Sequence, residues 1–355
     1  MTITTTPPPF ETLTPLLEKA LGASAQPAVE EMAGGASTRR FFRITARGRS
    51  AVAMYVPLPS QEVSKAKETG RRWPFLEVRD LLESHHIRVP QVLAEACDAG
   101  WLVVEDLGDT LAQHLEHSPQ DKTALYQRAV HDLANAQLAL SALPEHSIVR
   151  QRAFDADLLR WEIDHFREWA LEARGIELTA EQRAVFARAT EYLASTIASW
   201  PRGFVHRDYQ SRNLMVLPNP SGAHALAWID FQDAMLGPRV YDLVALLGDS
   251  YQSFDRAFID ARLAEFCEYL ALDERARQEV LRQFDMVTVQ RKLKDAGRFV
   301  FIERKNGNPS FLKFVEPTIE KARASLARLA EDEHLRELSE LLDQVCPPAR
   351  PAALV

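Results

Sequence analysis

Cysteine is scarce in this 355-residue chain: Cys97, Cys267 and Cys346 are odd in number, far apart and not paired with histidines at metal-ligand spacing. That argues against a disulfide framework and against a zinc site, and leaves the three as reduced packing residues. Long apolar runs are missing too. No stretch reaches the roughly 18 to 20 residues that a membrane span needs. The opening MTITTTPPPFETL lacks the basic-then-apolar pattern of a leader, so no membrane association and a cytoplasmic location are expected. A basic excess is absent as well: 42 Lys and Arg stand against 50 Asp and Glu, a net charge of -8. No positive field exists to hold a polyanion by counterion release, which excludes nucleic acid as the main partner. With 46% hydrophobic residues and only 14 glycines, what remains is an ordinary globular composition, and the length predicts two lobes rather than one core.

Hydrophobic patterning divides the chain. Residues 1–10 are a Thr/Pro tract, expected to be disordered, whereas Leu13, Leu16, Leu17 and Leu21 recur at helical spacing. Arg40 to Thr45 and Ala51 to Val56 read as a hairpin around a five-residue connection, followed by a helix from about Arg72 to Glu83 and a buried strand at Trp101 to Val104. Beyond Gly108 the pattern is mainly helical. Leu125, Ala129, Leu133, Gln137 and Leu140 share one face, and Leu158 to Leu171 form a second helix in which Trp161, Phe166 and Trp169 are expected to pack. One β island, Asn213 to Leu217 and Ala225 to Ile229, interrupts the helices. The expected organisation is α+β: a nucleotide-binding lobe over 11–107, a helical catalytic and acceptor-binding lobe over 108–345, and a frayed tail over 346–355.

The strongest motif is His206-Arg207-Asp208-Tyr209-Gln210-Ser211-Arg212-Asn213, followed after the second hairpin by Trp228-Ile229-Asp230-Phe231. This is the H-R-D-x-x-x-x-N spacing and the later metal-binding aspartate of phosphoryl-transfer enzymes. Asp208, on a loop before the hairpin, is placed to accept the proton of an attacking hydroxyl. Asn213 and Asp230, on the two arms, offer oxygens to Mg²⁺ bridging the phosphates of ATP. An HRD tripeptide or an Asp-Phe pair alone is commonplace; both at this spacing around a hairpin are not. Upstream, Gly34, Gly35, Ser37 and Thr38 lie before the first strand, where small residues let backbone N–H groups approach phosphate. Glu105 and Leu107, at the end of the buried strand, can present main-chain groups to an adenine edge, although an ordinary linker reads the same way.

With Gly237-Pro238-Arg239-Val240-Tyr241-Asp242-Leu243, these motifs resemble the aminoglycoside phosphotransferase branch of the protein-kinase-like fold. Four blocks are similar, more narrowly, to the bacterial anomeric kinases of N-acetylmuramate and N-acetylglucosamine: Gly35 to Arg43, Leu102 to Asp109, Ile229 to Ala234, and Gln290-Arg291-Lys292-Leu293-Lys294. The resemblance covers about residues 30 to 330. It implies a bilobal fold with a small β-rich N-lobe and a larger helical C-lobe. It also implies transfer of the ATP γ-phosphoryl to the C1 hydroxyl of an amino sugar during peptidoglycan sugar recycling, with a sugar-1-phosphate uridylyltransferase acting next.

One departure matters. Met54 stands where protein kinases carry the strand lysine that neutralises phosphate, which favours a local partner for Glu77 on the next helix. The expectation is that Arg39, Arg40 or Arg43 supplies the missing charge. Proximity nominates Gln210, Arg212, Gln232 and Asp233 for sugar hydroxyls or the acetamido group. Arg291, Lys292 and Lys294 read as a surface stripe or as partners for an acidic lactyl group, and Asp242 as a helix cap. Kinases of aminoglycoside, choline or homoserine type are the alternatives within enzymes. A nucleotide-binding pseudokinase is the alternative outside them.

Overall fold

The computed structural model describes residues 10–22, 27–32, 39–57, 64, 70–218 and 224–347. Contacts divide the chain into two compact units, residues 1–122 with 212–233 and residues 123–211 with 234–355.

The first unit opens with α1 (Phe10–Leu21) and continues through β1 (Ala28–Glu31), β2 (Arg40–Ala46), β3 (Arg49–Tyr55), α2 (Pro74–Ser84), β4 (Val92–Ala96) and β5 (Trp101–Glu105). The strands form one antiparallel sheet in the order β1-β2-β3-β5-β4. Alternation along β2 sends Phe42, Ile44 and Ala46 inward, where they meet Leu13, Leu16 and Leu17 of α1 together with Ala51, Ala53, Trp101 and Val103. The β2–β3 hairpin is tighter than its sequence suggests. Ala46 pairs with Arg49 around Arg47 and Gly48, at φ 53° and 72°. Two successive left-handed residues make the turn whose twist matches that of the flanking strands, so both arms extend into the stretch expected to be loop.

The unit continues through α3 (Leu111–His117) and is joined by the hairpin β7 (Leu214–Leu217) and β8 (Ala225–Trp228). Met215 pairs with Thr110, Trp228 N–H donates to the Arg88 carbonyl at 2.9 Å, and Leu107, Met215 and Ala227 share a small apolar core. Thr110 caps α3 with reciprocal bonds to Gln113.

The second unit is mainly helical: α4 (Lys122–Ala139), α5 (Ala156–His165), α6 (Ala180–Ser199), α7 (Tyr241–Leu247), α8 (Arg256–Tyr269), α9 (Glu274–Asn306), α10 (Val315–Arg328) and α11 (Glu333–Val345), with the two-stranded sheet of β6 (Arg202–Val205) and β9 (Met235–Pro238). The expected apolar face of α4 is buried. After α5 the chain widens into a π-helical stretch, Phe166–Leu171. Phe166 packs inside as expected, but Trp161 does not. It is 59% exposed and lies edge-on to His165, because its position falls on the outer side of α5, opposite buried Leu159, Glu162 and Ile163. Gly297 of α9 is needed for close packing: a Cβ there would stand 2.2 Å from the His165 carbonyl oxygen. The α+β class holds, an antiparallel sheet followed by a larger helical part. No helix among the described residues is long and apolar enough to cross a membrane.

Candidate active site

In the second unit, β6 delivers the chain into His206-Arg207-Asp208. The backbone there is fixed from below by Asp242, which is fully buried: Oδ2 accepts from His206 N–H at 2.7 Å and Oδ1 from Arg207 N–H at 3.0 Å. Asp242 therefore braces this loop rather than capping α7, whose N-cap position is Val240. Burial pushes its carboxyl up to about 7, against the two backbone donors and the Arg291 charge.

Arg207 adopts φ 78°, a left-handed conformation, and its carbonyl accepts from Arg291 Nη1 at 2.7 Å. The same guanidinium donates through Nη2 to Asp208 Oδ1 at 3.2 Å and lies over the Tyr241 ring at 4.9 Å. Enclosure by protein opposes ionisation of Asp208. The positive charges of Arg291, then Lys294, Arg207 and His206, outweigh it and hold the carboxyl below its ordinary value. The Asp208 side chain is 42% exposed whereas Arg291 is 3% exposed. The carboxylate is thus ionised, oriented from behind and still accessible. Tyr209 Oη anchors the loop to the Ala129 carbonyl at 2.8 Å, and Ser211 Oγ donates to Asp249 at 2.5 Å. Gln210 is half-buried, its N–H turned back to the Asp208 carbonyl.

Sequence reasoning missed the part played by Arg291. The supposed surface stripe is interior: Arg291 and Lys292 are buried, and Asp295 receives Lys292 Nζ at 2.7 Å. Burial opposes charge on Asp295, but Lys292, Lys294 and Arg291 drive its carboxyl far below the usual range. Three cations and one acid within five residues are a clue that such a stripe is neutralised internally.

The first unit brings another group together. Ile229 N–H donates to the Asn213 carbonyl at 3.0 Å, which closes the base of the β7–β8 hairpin and sets Asn213 beside Asp230. Asn213 Nδ2 lies 3.5 Å from Asp230 Oδ2. Asp230 holds φ 63°, and its Oδ1 accepts from Gln232 Nε2 at 2.9 Å and lies 3.9 Å from Arg39 Nη1. A carboxylate and an amide carbonyl on adjacent arms form a hard-oxygen donor set, which fits Mg²⁺. Gln232 is buried and directs its amide to Asp230 and Asp233, a supporting contact rather than an outward one; Asp233 and Arg212 are exposed.

The three arginines beside the sheet separate clearly. Arg40 is held by Glu31 through two bonds of 2.8 Å, and Arg43 by Asp106 at 2.9 and 3.2 Å, while Arg39 faces Asp230. Gly34, Gly35, Ser37 and Thr38 lie outside the described residues. Met54 is buried in β3, in register with Phe41 and Leu102, and Glu77 takes Arg71 as its partner at 2.9 Å. Glu105 ends β5, its carboxylate paired with Arg88 at 2.5 Å and its N–H donated to the Gln91 carbonyl; Leu107 is buried.

A buried loop presenting an ionised HRD aspartate, with an Asn/Asp hairpin after it, defines a phosphotransferase. Residues 28–280 match the phosphotransferase enzyme family, and the chain belongs to it. It is 32% identical over 313 residues to the N-acetylmuramate/N-acetylglucosamine kinase of Pseudomonas aeruginosa, covering 86% of this chain and 85% of that protein. It is likewise 32% identical over 311 residues to the kinase of the same name from Neisseria meningitidis serogroup B, covering 84% and 86%. Among solved structures, the GDP and kanamycin complex of the aminoglycoside phosphotransferase APH(2″)-IIIa superposes with a TM-score of 0.58 at 17% identity, covering 89% of this chain and 99% of that one. ADP-bound APH(2″)-Ib gives 0.57 at 16% identity, covering 88% and 97%. At such identities the likeness is one of fold.

Proposed function

We propose that this chain is an ATP-dependent kinase of amino sugars that phosphorylates the C1 hydroxyl of N-acetylmuramate, N-acetylglucosamine or both. The observation that carries the reading is the Asp208–Arg291 arrangement: a carboxylate kept ionised, aimed by a buried guanidinium, yet open to an acceptor. The names of the relatives and the four similar sequence blocks supply the acceptor class. Asp208 accepts the C1 proton as that oxygen bonds to the γ-phosphorus, and the bond to the ADP oxygen breaks. An anomeric hydroxyl is more acidic than an ordinary alcohol, so one oriented carboxylate suffices as base. Asn213 and Asp230 would hold Mg²⁺, which would supply neutralisation of the phosphate charge.

With Met54 in place of a lysine, and with Arg40 and Arg43 each committed to a carboxylate, Arg39 is the cation assigned to ATP. Glu105 and Leu107 lend main-chain groups to adenine. Gln210, Arg212 and Asp233 face the sugar, while Gln232 steadies Asp230. The sugar 1-phosphate passes to a uridylyltransferase in the cytoplasm.

A panel of acceptors incubated with MgATP, with products read by phosphorus NMR, tests this. A C1 phosphate on an N-acetylated amino sugar is expected. A phosphate only on an aminoglycoside, choline or homoserine rejects the acceptor class, and tight MgATP binding without turnover on any acceptor rejects the enzyme.

A further inference from the structure

Away from the Asn213–Asp230 pair, and independent of the proposed reaction, three side chains of the first unit converge: His114 on α3, Asp121 in the single 3₁₀ turn Pro119–Asp121, and His224 immediately before β8. His114 Nε2 lies 2.8 Å from Asp121 Oδ2, and His224 Nε2 lies 3.3 Å from that same oxygen. The two imidazoles stand edge-to-face with centroids 5.1 Å apart. One donor atom from each residue lies within 4.8 Å of the other two, the one such His, Cys, Asp or Glu cluster among the described residues. The spacing 114, 121 and 224 carries no metal-binding pattern in the sequence, which is why the cluster emerges only from the fold.

Zinc–ligand distances of about 2.0 to 2.2 Å in a tetrahedron put neighbouring donors about 3.3 to 3.6 Å apart. The observed 3.3 Å separation sits at the lower end of that range and the 2.8 Å one about 0.5 Å below it, so a small outward shift of His114 from Asp121 admits an ion. Two imidazoles with one carboxylate are the donors of Zn²⁺ and its first-row neighbours, whereas Mg²⁺ takes an all-oxygen shell. All three side chains are only partly buried, which leaves the fourth position to water.

We propose that His114, Asp121 and His224 form a second cation site, specific for a divalent transition metal of the zinc class. The ion ties α3 to the outer end of β8, the strand that leads into Asp230, and acts as a staple on that hairpin. Metal binding to the folded chain alone raises its melting temperature.

The test is titration of the chelator-stripped full chain with Co²⁺, read by visible ligand-field absorption, then displacement by Zn²⁺, alongside thermal melts. One equivalent is expected to give intense bands of a four- or five-coordinate ion and to raise the melting temperature. His114→Ala and His224→Ala are expected to weaken binding by more than the roughly 10–100-fold that loss of an outer-shell partner costs. Asp121→Asn, nearly isosteric, serves as the variant least disposed to disturb folding and is expected to do the same. Asp230→Asn is expected to keep the bands, which separates this site from the hairpin oxygens. Absence of the bands at stoichiometric Co²⁺, their survival in both histidine variants, or their loss in Asp230→Asn overturns the proposal.

Discussion

Asp208 and Asp230 each face an arginine, and the two pairings are built differently. Arg291 is interior: it donates to Asp208 at 3.2 Å and to the Arg207 carbonyl at 2.7 Å, and it lies over the Tyr241 ring. Arg39 approaches Asp230 at 3.9 Å, and that carboxylate is 45% exposed. The first pair is held in one geometry by contacts on several sides. The second is longer, beyond hydrogen-bond reach, and its arginine is 12% exposed against 3% for Arg291. These properties match the proposed roles: a base must keep its aim, whereas a metal ligand and its attendant cation must be able to turn toward phosphate.

Substitution at the Asp208 carboxylate breaks the comparison most severely. Asp208→Asn is expected to lower kcat by about 10²–10⁴-fold, the usual contribution of a general base. Steady-state ADP release measures this; unchanged kcat removes Asp208 from the reaction. Next comes Arg291→Ala, which leaves the base present but unaimed. Misplacement of this order costs roughly 10²-fold in kcat.

The pH profile sharpens the distinction. Asp208 has its carboxyl lowered in the folded chain, so its ionised form is favoured and the associated stability is lost only as pH falls through that lowered value. Removing the guanidinium leaves enclosure less opposed and raises the carboxyl. The acidic limb of kcat in Arg291→Ala is therefore expected to move to higher pH than in the parent, and a limb that stays in place shows that Arg291 does not tune the base.

Arg39→Ala tests the looser pair. Loss of one hydrogen bond to a charged group, worth about 1.5 kcal/mol, predicts a roughly tenfold rise in the KM for ATP with little change in unfolding. Arg40→Ala and Arg43→Ala, whose partners are Glu31 and Asp106, are expected to leave that KM unaltered. A triple variant with unchanged ATP kinetics dismisses the substitute-cation idea.

The sequence made legible what local spacing encodes. The HRD-to-Asn interval, the Asp after the hairpin, the apolar stripes of α1 and α4 and the β-branched strands all lie within a few residues of their own signals. Contacts made across the fold were not legible. Arg291 is 83 positions from Asp208, and Asp242 is 36 from His206, so a basic stripe and a cap were the simplest readings of residues that in fact hold the loop. Turn geometry was underestimated for a physical reason: Arg47 has no compositional mark of a left-handed residue, and only its pairing with Gly48 reveals the two-residue turn. Trp161 shows the opposite failure, a large aromatic on a helix whose buried side is made by its neighbours.

Gly297 gives α9 a pivot six residues beyond Arg291. Because a bare α-carbon meets the turn where α5 passes into its π-helical extension, the helix is seated there without any side chain to cushion it. A methyl group at that point would act as a wedge whose lever arm carries Arg291, so the aim of the Asp208 carboxylate depends on an atom missing less than two helical turns away.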